Sequence, residues 1–155
     1  MKLEDFVGNQ PIVQLMKNGQ LPPACLFAGL DGIGKKTLAL GLAALANCKD
    51  SSRQDLCGKC SSCLKAASGQ HPDIRLIEPQ KGSLKIEIMR EFNREVQYRP
   101  FEGRLRFFII DQAETMTEEA ANSILKTIEE PPESSLIILI SAFPHQLLAT
   151  IRSRC

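Results

Sequence analysis

The sequence has almost no charge excess: 19 Lys and Arg stand against 18 Asp and Glu, a net charge of +1. No overall pull toward nucleic acid or a membrane surface follows, and any such contact has to come from a local patch. No apolar run approaches the roughly 18 residues that a membrane helix needs. The longest, Phe107–Ile110 and Leu136–Ile140, have the length of strands. Internal repeats and low-complexity segments are also missing. Met1–Gln10 is polar with no apolar core, so it does not read as a secretory leader, and a reducing, cytoplasmic setting is expected. What remains is a chain of 155 residues, 43% hydrophobic and 24% charged, one ordinary domain with enough apolar content to bury a core. Residues 150–155 carry no stop signal, and the expectation is that the protein continues beyond them.

Against this plain background the cysteines stand out. Four of the six, Cys48, Cys57, Cys60 and Cys63, fall between positions 48 and 63, and the last three form a C-x-x-C-x-x-C run. A knuckle such as Cys57-Gly58-Lys59-Cys60 can fold two thiolates onto one ion, and four thiolates at about 2.3 Å make a closed, structural zinc site. Disulfides suit the expected compartment poorly. An iron–sulfur run would need a further cysteine and a proline where Ala66 and Ala67 stand. His71, in the turn Gly69-Gln70-His71-Pro72-Asp73, is a weaker ligand candidate and reads better as a turn residue.

Ala24–Ala28 is a continuous apolar run of the kind found in a strand buried on both faces. It opens into Gly29-Leu30-Asp31-Gly32-Ile33-Gly34-Lys35-Lys36-Thr37, a G-x-x-x-x-G-K phosphate-binding loop, with a helix predicted over Leu38–Ala46. Glycines at 29, 32 and 34 let the backbone turn its N–H groups inward, the helix N-terminus adds partial positive charge, and Lys35 supplies a full one. The next residue should be Ser or Thr, whose hydroxyl ligates magnesium. It is Lys36 instead, with the hydroxyl one place late at Thr37 and turned by about 100°. Lys36 could bring a second positive charge to the phosphates and do without metal.

A second departure lies at Phe107-Phe108-Ile109-Ile110-Asp111, a buried strand ending in a carboxylate placed to reach hydrated magnesium. The following position, where a glutamate would polarise the attacking water, holds Gln112. An amide accepts no proton at neutral pH, so general-base hydrolysis should fall by about 10²- to 10⁴-fold. Glu114 stands two residues further on, a distance expected to keep it out of reach. The remaining pattern predicts helices over Gly8–Lys17, Ser61–Ser68, Ile86–Gln97 and Pro144–Thr150. A further single helix is capped by Thr117 and stopped by Pro131-Pro132. Strands are predicted over Ile74–Ile77 and Leu136–Ser141.

With these residues assembled, the chain resembles the AAA+ domain of bacterial clamp-loader subunits of DNA polymerase III. The resemblance is carried by the phosphate loop, the four-cysteine module directly after its helix, Asn122-Ser123-Ile124-Leu125-Lys126-Thr127-Ile128-Glu129-Glu130-Pro131-Pro132, and Ser153-Arg154-Cys155. It implies an α/β fold of three layers with a central parallel sheet. Residues 1–155 would be the P-loop domain, with a zinc module at 48–63 and with lid and collar domains beyond the end. Members of the gamma/tau type keep a loop threonine and an Asp-Glu pair. Lys36, Gln112, Gly69-Gln70-His71-Pro72-Asp73 and Arg99-Pro100-Phe101-Glu102-Gly103 resemble the delta-prime branch. Where hydrolysing members place Asn or Thr, this chain has Ala142.

For such a subunit the resemblance implies poor ATP hydrolysis and an arginine, matched by Arg154, that reaches the ATP of a neighbouring gamma/tau subunit. It also implies assembly with gamma/tau and delta, and contact with the sliding clamp and primed DNA through the ring. Zinc is then the expected structural ion, while ATP and magnesium are left open. Two other functions compete. One is a working ATPase built on Lys35, Thr37, Asp111 and Glu114. The other is a zinc-dependent DNA-binding module using Arg90, Arg94, Arg99, Arg104 and Arg106, with Glu87, Glu91, Glu95 and Glu102 interleaved against it.

Overall fold

Apolar runs that point alternate side chains to opposite faces make a sheet that has to be covered on both sides. The computed structural model describes residues 10–50, 52 and 55–155. Its strands are β1 (Ala24–Ala28), β2 (Ile74–Ile77), β3 (Arg106–Ile110) and β4 (Ser135–Ser141), all parallel, in the spatial order β1-β4-β3-β2. Helices α1 (Gln10–Lys17), α2 (Lys35–Asn47), α3 (Ser61–Ala67), α4 (Ile86–Glu95), α5 (Glu118–Ser123), α6 (Leu125–Glu129) and α7 (Ala149–Arg152) surround it. Gly8 and Asn9, the start of the first predicted helix, lie outside the described residues, as does nearly all of Met1–Gln10.

The alternation divides the core in two. Phe107, Ile109, Ile138 and Ile140 meet Val13, Met16, Leu38, Leu42 and Leu45 of α1 and α2. Phe108, Ile110, Ile137 and Leu139 meet Met89, Phe92, Ile124, Ile128 and Ile151 of α4 to α7. Phe92 and Phe108 pack edge to face with centroids 5.3 Å apart. Each such side chain contributes about 1.5–3 kcal/mol on full burial, which is what fixes the strand register. Three layers, helix–sheet–helix, result, as the resemblance implies. No helix among the described residues is long and apolar enough to cross a membrane.

Two predicted helices are broken. The segment after Thr117 is capped as expected, with Ala120 N donating to Thr117 Oγ1 at 3.2 Å. It then divides into α5 and α6 at Ile124. Ser123 Oγ donates back to Ala120 O at 2.6 Å, and Asn93 Nδ2 of α4 donates to Ser123 O at 2.9 Å. Both bonds draw backbone acceptors out of the regular ladder. The Pro144–Thr150 helix is instead a short 3₁₀ turn at Pro144–Gln146, followed by α7. Leu147 is extended between them and buried, and anchoring it in the core takes precedence over a continuous helix.

Candidate functional site

In parallel α/β sheets ligands bind beyond the carboxyl ends of the strands, and here the loops after β1, β3 and β4 meet around a cleft of about 470 Å³. The volume suits a small-molecule ligand. Gly32 and Gly34, at φ 79° and 92°, occupy the left-handed region that a glycine enters at no steric cost. Lys35 arches back over the loop, donating from Nζ to Gly29 O at 2.7 Å and to Leu30 O at 2.6 Å. α2 begins at Lys35 with no side chain capping it, so its first N–H groups are left for another acceptor. Gly29, Gly32, Gly34, Lys35, Lys36, Thr37 and Asp111 thus come together at one end of the sheet, with Gly29 N donating to Ser141 O at 3.3 Å.

The Lys36 position departs most from a working ATP site. Its Nζ lies 2.7 Å from Asp111 Oδ2 and 2.7 Å from Glu78 Oε1, and the bonds to Asp111 and then to Glu78 raise its pKa. Asp111 Oδ1 accepts from Gln112 N at 3.0 Å, so both carboxylate oxygens are engaged within the protein. Magnesium does not fit this set: the hydroxyl it needs is displaced to Thr37, and the carboxylate that would hold its water is already paired with an ammonium. Gln112 is exposed and sits in the left-handed region at φ 49°. Glu114 lines the cleft wall from a 3₁₀ turn at Ala113–Thr115. Ser141 also lines the cleft, its Oγ accepting from Phe143 N at 3.0 Å. Glu78 escaped sequence reasoning because it belongs to no motif. The usable signal is that it follows β2 directly, as Asp111 follows β3.

The four cysteines also converge. The Sγ atoms of Cys48, Cys57, Cys60 and Cys63 all lie within 4.8 Å of one another, with Cys57 and Cys63 3.8 Å apart. Sulfurs at the vertices of a tetrahedron with 2.3 Å bonds are separated by about 3.8 Å. Cys60 N and Cys63 N each point to the preceding knuckle sulfur at 3.4 Å. Burial opposes ionisation of Cys60, but N–H groups of Lys49 and Cys63 together with the neighbouring thiols bring it down to about 6. Burial, with further help from thiol neighbours, pushes Cys63 up to about 12. A soft divalent cation is what would let all four ionise together, so the donor set could hold zinc. Cys25 and Cys155 stand outside this cluster, and burial raises both, to about 12 and about 11.

His71 is no ligand. Its Nδ1 accepts from Asp73 N at 3.1 Å, so the proton sits on Nε2, 2.9 Å from Ser62 Oγ of α3. Asp73, fully buried, accepts from Phe101 N at 2.7 Å, Glu102 N at 2.9 Å and Gly103 N at 2.6 Å. Asn47 Oδ1, at the end of α2, accepts from Arg104 N and Leu105 N at 2.8 and 3.2 Å. The two distinctive segments, 69–73 and 99–103, are thus halves of one buried polar knot beside the cysteine module. Arg106 belongs to it too: it is buried 3.8 Å from Asp73 Oδ1 and stacked between Phe101 and Phe108. This removes Arg106 from the basic patch suggested by sequence.

Arg154 does not line the cleft of its own chain. It donates from a guanidinium nitrogen to Thr150 O at 2.9 Å and lies 3.6 Å from Glu129 Oε2, with its side chain partly exposed.

Residues 9–155 match the protein family described as DNA polymerase III, delta subunit. The chain belongs to that family. Members of the wider group are recognisable at about one residue in three. The Haemophilus influenzae DNA polymerase III subunit tau/gamma is 35% identical over 97% of this chain and 22% of its own length. The delta' subunit of Yersinia pestis is 35% identical over 95% of the chain and 45% of its length. That of Bacillus subtilis is 36% identical over 90% and 42%. Overall identity therefore does not separate this family member's delta' relatives from the tau/gamma ones. The chain spans less than half the length of these relatives. The fold agrees: the crystal structure of a Thermotoga maritima gamma subunit-related protein superposes with a TM-score of 0.69 at 22% identity, covering 94% of this chain and 43% of that one.

Proposed function

We propose that this chain is the P-loop domain of a delta-prime-type clamp-loader subunit, a poor or inactive ATPase that lends Arg154 to a neighbour's nucleotide. The observation that carries it is the Lys36–Asp111 ion pair of 2.7 Å, which fills the magnesium position with a side chain. Gln112 removes the base position next to it. Delta' relatives are named as subunits of DNA polymerase III, so the protein would act in DNA replication as part of that holoenzyme, in the cytoplasm. Its lid and collar domains would follow residue 155. Gamma/tau and delta subunits would be its ring partners, and the sliding clamp and primed DNA would be met through the ring. Reconstitution tests this, with the full-length polypeptide included or omitted and clamp loading on primed DNA measured. Loading that proceeds equally well without it would end the proposal.

The cysteine module completes the picture as a zinc site, with Cys48, Cys57, Cys60 and Cys63 as ligands. Zinc there would supply cross-linking for a segment with little to bury. Purified protein should contain one zinc per chain, and Cys60→Ser should lose it. The variant should show reduced protection of amide hydrogens around α3 while the sheet amides stay protected. Simultaneous loss of protection in β3 and β4 would mean that the module is integral to the core.

A second possibility, independent ATP turnover, is favoured by one feature, the return of Glu114 to the cleft wall. It predicts hydrolysis by the isolated subunit that Lys35→Ala abolishes. DNA binding by the isolated domain is disfavoured, since Glu91 and Glu95 alternate with Arg90 and Arg94 along α4 and Arg106 is buried.

A further inference from the structure

We infer that the exposed loop between α4 and β3, residues 98–104, is a docking surface for an acidic peptide segment that also carries an apolar side chain. The inference goes beyond the role of the cleft and of Arg154 and rests on neither.

The loop leads into β3 and so lies at the amino ends of the strands, away from the cleft. Tyr98 and Phe101 are 55% and 73% exposed, and Leu64 of α3 is 58% exposed. α3 is tied to the loop by Lys65 Nζ, which donates to the two carboxylate oxygens of Glu102 at 2.8 and 2.7 Å. A single exposed apolar residue is ordinary, whereas several on adjoining segments, rimmed by charge, mark a contact surface.

The backbone beneath these side chains is held fast. Asp73 accepts from the N–H groups of Phe101, Glu102 and Gly103, and Asn47 from those of Arg104 and Leu105. A Cβ at Gly103 would run into Asn47 Oδ1, so the loop is also closely packed. The buried Arg106 guanidinium lies 5.3 Å from the Phe101 centroid and supports one face of the ring. An aromatic ring presented on so fixed a backbone loses little conformational freedom on binding, which suits it as an anchor.

Charge selects the occupant. Arg99 and Arg104 are exposed, as is Arg94 in the last turn of α4, and none of the three has an ion-pair partner among the described residues. The acids around them are already engaged. Glu102 is held by Lys65, Glu91 and Glu95 lie 4.0 and 3.4 Å from Arg75, and Asp73 faces Arg106. Unpaired positive charge therefore flanks the two rings. Carboxylates of a partner can meet the guanidinium forks while an apolar side chain covers Phe101. A nucleic-acid strand fits less well, because it needs a basic track along its backbone and this one is closed off on α4 by Glu87 and Glu91.

The test is fluorescence anisotropy of a labelled Asp-Asp-Leu-Leu-Asp-Asp peptide titrated with the full-length protein. Binding is expected with a Kd on the order of 10⁻⁵ M, and it should weaken as salt rises. Peptides with Asn for Asp, or with Gly for Leu, should each bind about tenfold more weakly, since one lacks the charge and the other the anchor. Phe101→Ala should weaken binding by about tenfold. The double variant Arg99→Gln, Arg104→Gln should do the same with an unchanged Tm, because neither side chain has an ion-pair partner to lose. No binding by the wild type, or binding that both variants retain in full, would overturn the inference. A thymidine oligonucleotide that binds more tightly than the peptide, and is lost in the same variants, would overturn it by giving the surface to nucleic acid.

Discussion

Replacing Arg154 by alanine in a reconstituted loader is expected to slow ATP turnover at the adjacent subunit by about 10³-fold or more, the scale seen when an arginine supplied in trans is removed. The reasoning is electrostatic. A guanidinium placed against the transferred phosphoryl opposes the charge that develops there, and a planar fork does this with directed N–H groups. In this chain the side chain is already steadied for such a contact, with Thr150 O accepting from it at 2.9 Å and Glu129 lying 3.6 Å from Nε. Arg154 follows α7 and does not line its own chain's cleft. Arg154→Lys keeps the charge without the fork and should recover little of the rate. Nucleotide affinity at the neighbouring site should change far less than turnover, because the missing interaction belongs to the transition state. An alanine variant that assembles normally and turns over ATP at the wild-type rate would rule out the role in trans.

Asp73→Ala should be the most damaging substitution outside the apolar core, costing about 3–5 kcal/mol because it leaves a buried cation without its counter-ion. The carboxylate holds three backbone N–H groups of the 101–103 segment and faces Arg106. At this chain length the loss corresponds to a fall in Tm of roughly 10 °C, measurable by calorimetry. The same group sets an acid limb. Burial opposes its ionisation, but the N–H groups of Glu102, Phe101 and Gly103, with His71 nearby, outweigh burial and lower its pKa. A depressed folded-state pKa gives stability that is complete above the unfolded value of about 3.9 and is lost as pH falls through the folded one. The share of stability held by Asp73 should therefore decline below about pH 4, and Asp73→Asn should be less stable at neutral pH with a flatter decline over that range. Glu102, whose pKa is lowered chiefly by its bond to Lys65, adds to this acid limb, and His71, whose pKa burial lowers, adds a loss that begins nearer neutrality. A variant as stable as wild type at pH 7 would show that the knot contributes nothing.

Much of the molecule can be read from residue order. The strands at Ala24–Ala28 and Ile74–Ile77 occur where expected, because continuous apolar runs between turn residues have few other solutions. The cysteine cluster is legible from spacing, and the phosphate loop from its glycines and Lys35. The failures have a common cause in contacts distant in sequence. The break at Ile124 depends on Asn93, some thirty positions earlier, and the pairing of Lys36 depends on Glu78, which belongs to no motif. Glu114 stands at the cleft wall because a 3₁₀ turn follows β3, which residue order does not mark. The segments 69–73 and 99–103 show no common purpose in residue order; Asp73, lying beneath both, supplies it.

α2 has a consequence for how motion can pass through the domain. Its 13 residues reach about 20 Å, from Lys35 at the cleft to Asn47 and Cys48 at the cysteine cluster. Asn47 fastens the far end to Arg104 and Leu105, and a metal held by Cys48 and the other three thiols would fasten it further. A rod moored at one end in this way cannot slide along its axis to absorb a displacement at the other; it can only pivot about the mooring. A ligand arriving at the loop would thus be felt on the opposite rim of the domain as a tilt, delivered where Phe101 stands exposed.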